Sequence, residues 1–73
     1  MKEPFKIYIE NYGKVQSGTK LERKDYGVAS INGFQEYDEK GMLAVSMAAQ
    51  DVKMGATMRT KKEFEEELAK MLS

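Results

Sequence analysis

Residues 42–58 read MLAVSMAAQDVKMGATM, the least polar stretch of a 73-residue chain. Whether they form a strand or a helix decides the fold. Taken in twos, Leu43, Val45, Met47 and Ala49 share one face, and Met42, Ala44, Ser46 and Ala48 share the other, as in a strand. At helical spacing, Met42, Val45, Ala49 and Val52 make a stripe, and alanine and methionine favour helix intrinsically. The residues just upstream tip the balance. Asp38-Glu39-Lys40-Gly41 places aspartate and glycine at the first and fourth positions of a type I turn, and such a turn opens a common hairpin loop. In the helical alternative Asp38 is the cap. Gly41 then falls in the first turn at an entropic cost, and the glutamate of a capping box is missing. The pattern therefore predicts a strand over 42–49, with Gly41 at positive φ.

Outward from this stretch, the N-terminal side reads the same way. After Pro4, FKIYIE alternates Phe5, Ile7 and Ile9 with Lys6, Tyr8 and Glu10, which predicts a second strand. Residues 11–19, NYGKVQSGT, carry two glycines and a serine and read as a turn or loop. TKLERK, residues 19–24, reads as a short edge strand whose lysines discourage stray pairing. Residues 26–37, YGVASINGFQEY, read as a longer strand. Its phase breaks at Asn32-Gly33, which is either a bulge or a tight hairpin turn.

On the C-terminal side, VKMGATM is an additional strand or an extended connection. Arg59 to Ser73 then predicts a helix. Thr60 and Glu63 have capping-box spacing, Phe64, Leu68, Met71 and Leu72 form the apolar stripe, and Lys70 suits the last turn. The acidic run Glu63, Glu65, Glu66 and Glu67 reads as the solvated side of that helix. The expected fold class is α+β: one domain over 1–73, with a small antiparallel sheet of three to five strands and one C-terminal helix across a face. The expected core is Phe5, Ile7, Ile9, Leu21, Val28, Ile31, Phe34, Leu43, Val45, Met47, Phe64 and Leu68.

Composition narrows the function. A chain this short buries only ~60% of its extended surface and is marginal alone. It has no cysteine and no histidine. Structural zinc and the common activated nucleophiles are thereby disfavoured. Ser17, Ser30, Ser46 and Ser73 have no base at a recognised spacing. Gly13, Gly18, Thr19 and Lys20 resemble a phosphate loop only superficially, because the threonine precedes the lysine and no long helix is expected after it. Glu36 and Asp38 would share a strand face, but carboxylates beside a turn are ordinarily solvated. No catalytic, cofactor-binding or metal-binding residue is expected. A charged start without a long apolar run makes the cytoplasm the expected compartment, with no membrane partner.

Two binding classes remain. The first is a protein-interaction or regulatory module, acting as a homodimer or on an unidentified protein partner. Flexible methionines suit adaptable surfaces, and small residues permit close approach. Its candidate interface is Met42, Ala44, Ala48, Met54 and Met58. The second is single-stranded nucleic-acid binding. The formal net charge is zero, but basic and acidic blocks alternate: residues 53–62 hold four basic and no acidic side chains, and 63–73 hold four acidic and one basic. If the basic blocks converge, Lys6, Arg23, Lys24, Lys53, Arg59, Lys61 and Lys62 would meet phosphates, and Tyr8 and Tyr12 would stack on bases.

Overall fold

The computed structural model describes residues 3–21 and 37–73. It contains three helices and, among the described residues, no strand: α1 Pro4–Gln16, α2 Glu39–Lys53 and α3 Lys61–Leu72. Among the described residues the fold is an all-helical three-helix bundle. This overturns the α+β sheet and its β-hairpin, and with them the strands over 5–10 and 42–49. Residues 26–36 of the expected strand over 26–37, and residues 22–24 of that over 19–24, lie outside the described residues, as do Val28, Ile31 and Phe34. Thr19 to Leu21 are described and form no strand.

In α1 both periods are present in the letters. Pro4 at the first helical turn is preorganised for helix entry and lacks only a donor that would have had no partner. The buried residues are Ile7, Tyr8, Asn11 and Tyr12, a helical face. The alternating reading assigned Tyr8 to the outer, polar side. Its ring is instead fully buried, while Ile9, expected in the core, is 38% exposed. Asn11 donates from Nδ2 to the Ile7 carbonyl at 2.8 Å. The glycine turn expected over 11–19 begins only after Gln16. There Gly18 (φ 88°) closes α1, with Gly18 N–H bonded to Val15 O and Thr19 N–H to Lys14 O, the paired bonds of a Schellman cap.

The decisive stretch is helical because both objections to the helix fail. Asp38 caps α2, its Oδ1 accepting from Gly41 N–H at 2.9 Å, so the missing glutamate is not needed. Gly41 is glycine for closeness rather than for a turn, and its φ is not positive. A Cβ there would lie 2.8 Å from Tyr37 Cβ and 3.2 Å from Ile7 Cδ1. The backbone of α2 thus passes against Tyr37 and α1 where no side chain fits. Ala44, Val45, Met47, Ala48 and Asp51 continue the buried face. Packing between α1 and α2 is the most extensive in the bundle, and the small Ala44 and Ala48 side chains suit their close approach. Gly55 (φ 74°) ends α2. Its N–H bonds Val52 O, and Ala56 N–H bonds Asp51 O, a second Schellman cap. No strand follows in VKMGATM: it is the end of α2 and its connection to α3.

The expected C-terminal helix is present. Thr60 Oγ1 accepts from Glu63 N–H at 3.2 Å and Glu63 Oε1 accepts from Thr60 N–H at 2.9 Å, the reciprocal capping box. Those bonds hold the Glu63 carboxyl below its ordinary pKa. Phe64 and Leu68 are buried, whereas Met71 and Leu72 at the end of the stripe are largely exposed. Phe64 lies 5.5 Å from the Phe5 ring and 5.1 Å from the Tyr8 ring, which joins α3 to α1 through aromatic contact. Of the remaining expected core, Ile7, Val45 and Met47 are buried, and Phe5, Leu21 and Leu43 pack against them partly covered.

Candidate functional site

The connection between α2 and α3 is held by side chains from three places. Tyr8 on α1 donates its hydroxyl proton to Asp51 Oδ2 at 2.8 Å. The same hydroxyl accepts from Arg59 N–H at 2.9 Å. Arg59 closes the ring on Asp51, with Nε 2.9 Å from Oδ2 and Nη2 3.3 Å from Oδ1. One turn along α1, Tyr12 donates to Ala56 O at 2.7 Å. The two tyrosines therefore fix both ends of the connection, and Asp51 is satisfied at both oxygens.

The electrostatics follow from burial. Asp51 sits in the last turn of α2, where a negative charge opposes the helix dipole, and it is 4% exposed. Such a charge needs a partner, and Arg59 supplies it. Burial pushes the Tyr8 hydroxyl up to about 12; its bonds with Arg59 and Asp51 act in opposite directions. The Arg59 guanidinium is raised chiefly by its hydrogen bond to Asp51. This polar lock ties Tyr8, Asp51 and Arg59 to one another and so positions α3 against α1 and α2.

Beside the lock, α2 carries two surface depressions. Between α2 and α3 runs a groove of about 290 Å³ lined by Met47, Met54 and Met71 with Ser46, Gln50, Asp51, Arg59 and Glu67. Adjacent to it on α2, a second, more open depression of about 540 Å³ is lined by Ser46, Ala49, Gln50, Lys53 and Met54. The two share Ser46, Gln50 and Met54, which recur every four residues and form one ridge along α2. Met54 is 72% exposed on that ridge. The groove between α2 and α3 falls at the small end of ligand pockets, ~300–1,000 Å³.

The expected sites divide on this geometry. Met54 and Met58 are exposed, and Met42 is half-buried. Ala44 and Ala48 are each 0% exposed, so their small faces are already used inside the protomer. For nucleic acid, Tyr8 and Tyr12 are buried with their hydroxyls bonded, so neither ring offers a stacking face. Arg59 is tied to Asp51, and Lys61 reaches Glu3 at 3.2 Å. Lys6, Lys53 and Lys62 are exposed, and Arg23 and Lys24 lie outside the described residues. Asp38 is a helix cap, and Glu36, its expected companion, also lies outside. The lock was legible only as an anomaly: one aspartate within an apolar run, eight residues before an arginine. No protein-family model, curated protein or solved structure matches the chain.

Proposed function

We propose that this protein is a small helical interaction module that acts through contacts with other macromolecules, itself included, rather than through catalysis. The observation that carries the reading is the ridge and paired depressions of α2, with Met54 72% exposed between them. A side chain of this kind costs hydration when left in water and adapts its shape to an apposed surface. The lock beside it supports the same use, because a surface presented by three short helices needs a fixed α2–α3 angle. A homodimer is the simplest assembly, since closed two-fold pairing is the commonest way for a soluble chain to self-associate. The compartment, read from the sequence as the cytoplasm, belongs to the same proposal. Single-strand recognition by stacking draws less support, because both expected stacking tyrosines are inside the core.

Light scattering coupled to size exclusion, run over a concentration series, tests the reading. The expected result is a mass rising from 8.3 kDa toward a dimer, with association weakened by Met54→Asp while helical circular dichroism is unchanged. A mass near 8.3 kDa at every concentration would defeat self-association.

A further inference from the structure

The two sides of the α2 ridge carry opposite charges. Lys53 lines only the depression on one side of Ser46, Gln50 and Met54, and Glu67 lines only the groove on the other. From this arrangement, and resting on the self-association proposed above, we infer that a second copy of the chain docks on this face about a two-fold axis along the ridge. Lys53 of each protomer then pairs with Glu67 of the other.

Three features argue for a second copy rather than another occupant. The first is charge balance. The two depressions are lined by Lys53 and Glu67, of opposite sign, and by Arg59 and Asp51, which already pair with each other. A surface of one sign repels its own copy and suits a polyanion or an anionic membrane; a balanced one is compatible with itself. The second is placement. In an isologous contact, if residue i meets residue j, then j meets i. Opposite charges on opposite sides of the axis therefore face each other twice, whereas like charges would clash twice. The third is shape. Ser46 and Ala49 are short and leave room beside the ridge, while the groove across it is lined by Met47 and Met71. The aliphatic stem of an incoming Lys53 suits that apolar lining, with its ammonium reaching out to Glu67. Lys53 makes no ion pair within the protomer among the described residues and is exposed, so it is available. Gln50 Nε2 already rests 3.7 Å from Met54 Sδ, and this pair stands at the centre of the contact.

A charge-swap cycle tests the pairing, read by light scattering and by sedimentation at low and high salt. Lys53→Glu alone and Glu67→Lys alone should each weaken the dimer at least tenfold, because each places two like-charge pairs across the axis. The double variant K53E/E67K should recover to within about threefold of the wild-type dissociation constant, an order-of-magnitude expectation for a purely pairwise effect. Because Glu67 also lies near Arg59, Glu67→Gln serves as the milder variant, and circular dichroism verifies each fold. Glu67→Gln should weaken the dimer less than Glu67→Lys and make its affinity less sensitive to salt. A dimer that Met54→Asp disrupts but the charge variants leave unchanged overturns the pairing while leaving self-association standing. Failure of the double variant to recover also overturns it. A wild-type chain that stays monomeric removes both.

Discussion

Asp51→Asn is the sharpest test of how α3 is held. The change conserves shape, so no cavity opens. It removes the charge and replaces one carboxylate oxygen with an amide that donates. The carboxylate now accepts from Tyr8 at 2.8 Å and from Arg59 at 2.9 and 3.3 Å. An asparagine side chain offers one acceptor oxygen and turns its NH₂ toward a donor, so at least one of these bonds becomes a donor–donor contact. Bonds to charged groups contribute ~1.5–3 kcal/mol net each. The longest of the three is weak, and the Arg59 side chain is 32% exposed, so water recovers part of its loss. The expected destabilisation is about 2–3 kcal/mol, a large share of a stability that is roughly 0.05–0.15 kcal/mol per residue. The melting temperature should fall by roughly 10–20 °C at ~4–8 °C per kcal/mol. Urea unfolding followed by helical circular dichroism gives the free energy directly. Combination with Tyr8→Phe completes a double-mutant cycle, whose coupling should exceed ~0.5 kcal/mol for groups that share one network. A loss below about 0.5 kcal/mol for Asp51→Asn, or additive effects in the cycle, would refute the claim that these side chains act as a lock.

Two further outcomes are expected. Gly41→Ala should destabilise by about 1–2 kcal/mol, because a Cβ 2.8 Å from Tyr37 Cβ costs more than the ~1 kcal/mol gained in helix propensity; a higher melting temperature for this variant would contradict the close approach. Tyr8 ionises at about 12 in the fold against the ordinary 10.0, so the unfolded chain loses its proton first as pH rises. Its contribution is complete below pH 10.0, declines as pH rises, and is lost by about 12. Alkaline absorbance titration should show a late tyrosine that disappears in Tyr8→Phe, and survival of that late phase would refute the assignment.

The C-terminal helix was legible because its signals are local. Thr60 and Glu63 make their cap within one turn, and Phe64 and Leu68 lie on one helical face whatever they pack against. The absence of cysteine and histidine, the alternation of charge blocks and the softness of the methionine-rich stretch are likewise properties of the letters alone. The other two helices were not legible for a specific reason. In FKIYIENY the same residues satisfy a period of two and a period of 3.6, and the difference lies in whether Tyr8 faces water or core. Its polar hydroxyl permits either. Only the distant Asp51 and Arg59, which satisfy that hydroxyl, put the ring inside. In DEKGMLAV, Asp38 and Gly41 fit a turn as well as a capped helix. The glycine is resolved by Ile7 and Tyr37, which leave no room for a Cβ. Ala44 and Ala48 were legible as small residues awaiting a close neighbour, read as the C-terminal helix or a second copy, whereas α2 packs chiefly against α1. Where local chemistry favours one conformation, the sequence by itself determined the element; where two periods compete, contacts from outside the element decided it, because only burial distinguishes them.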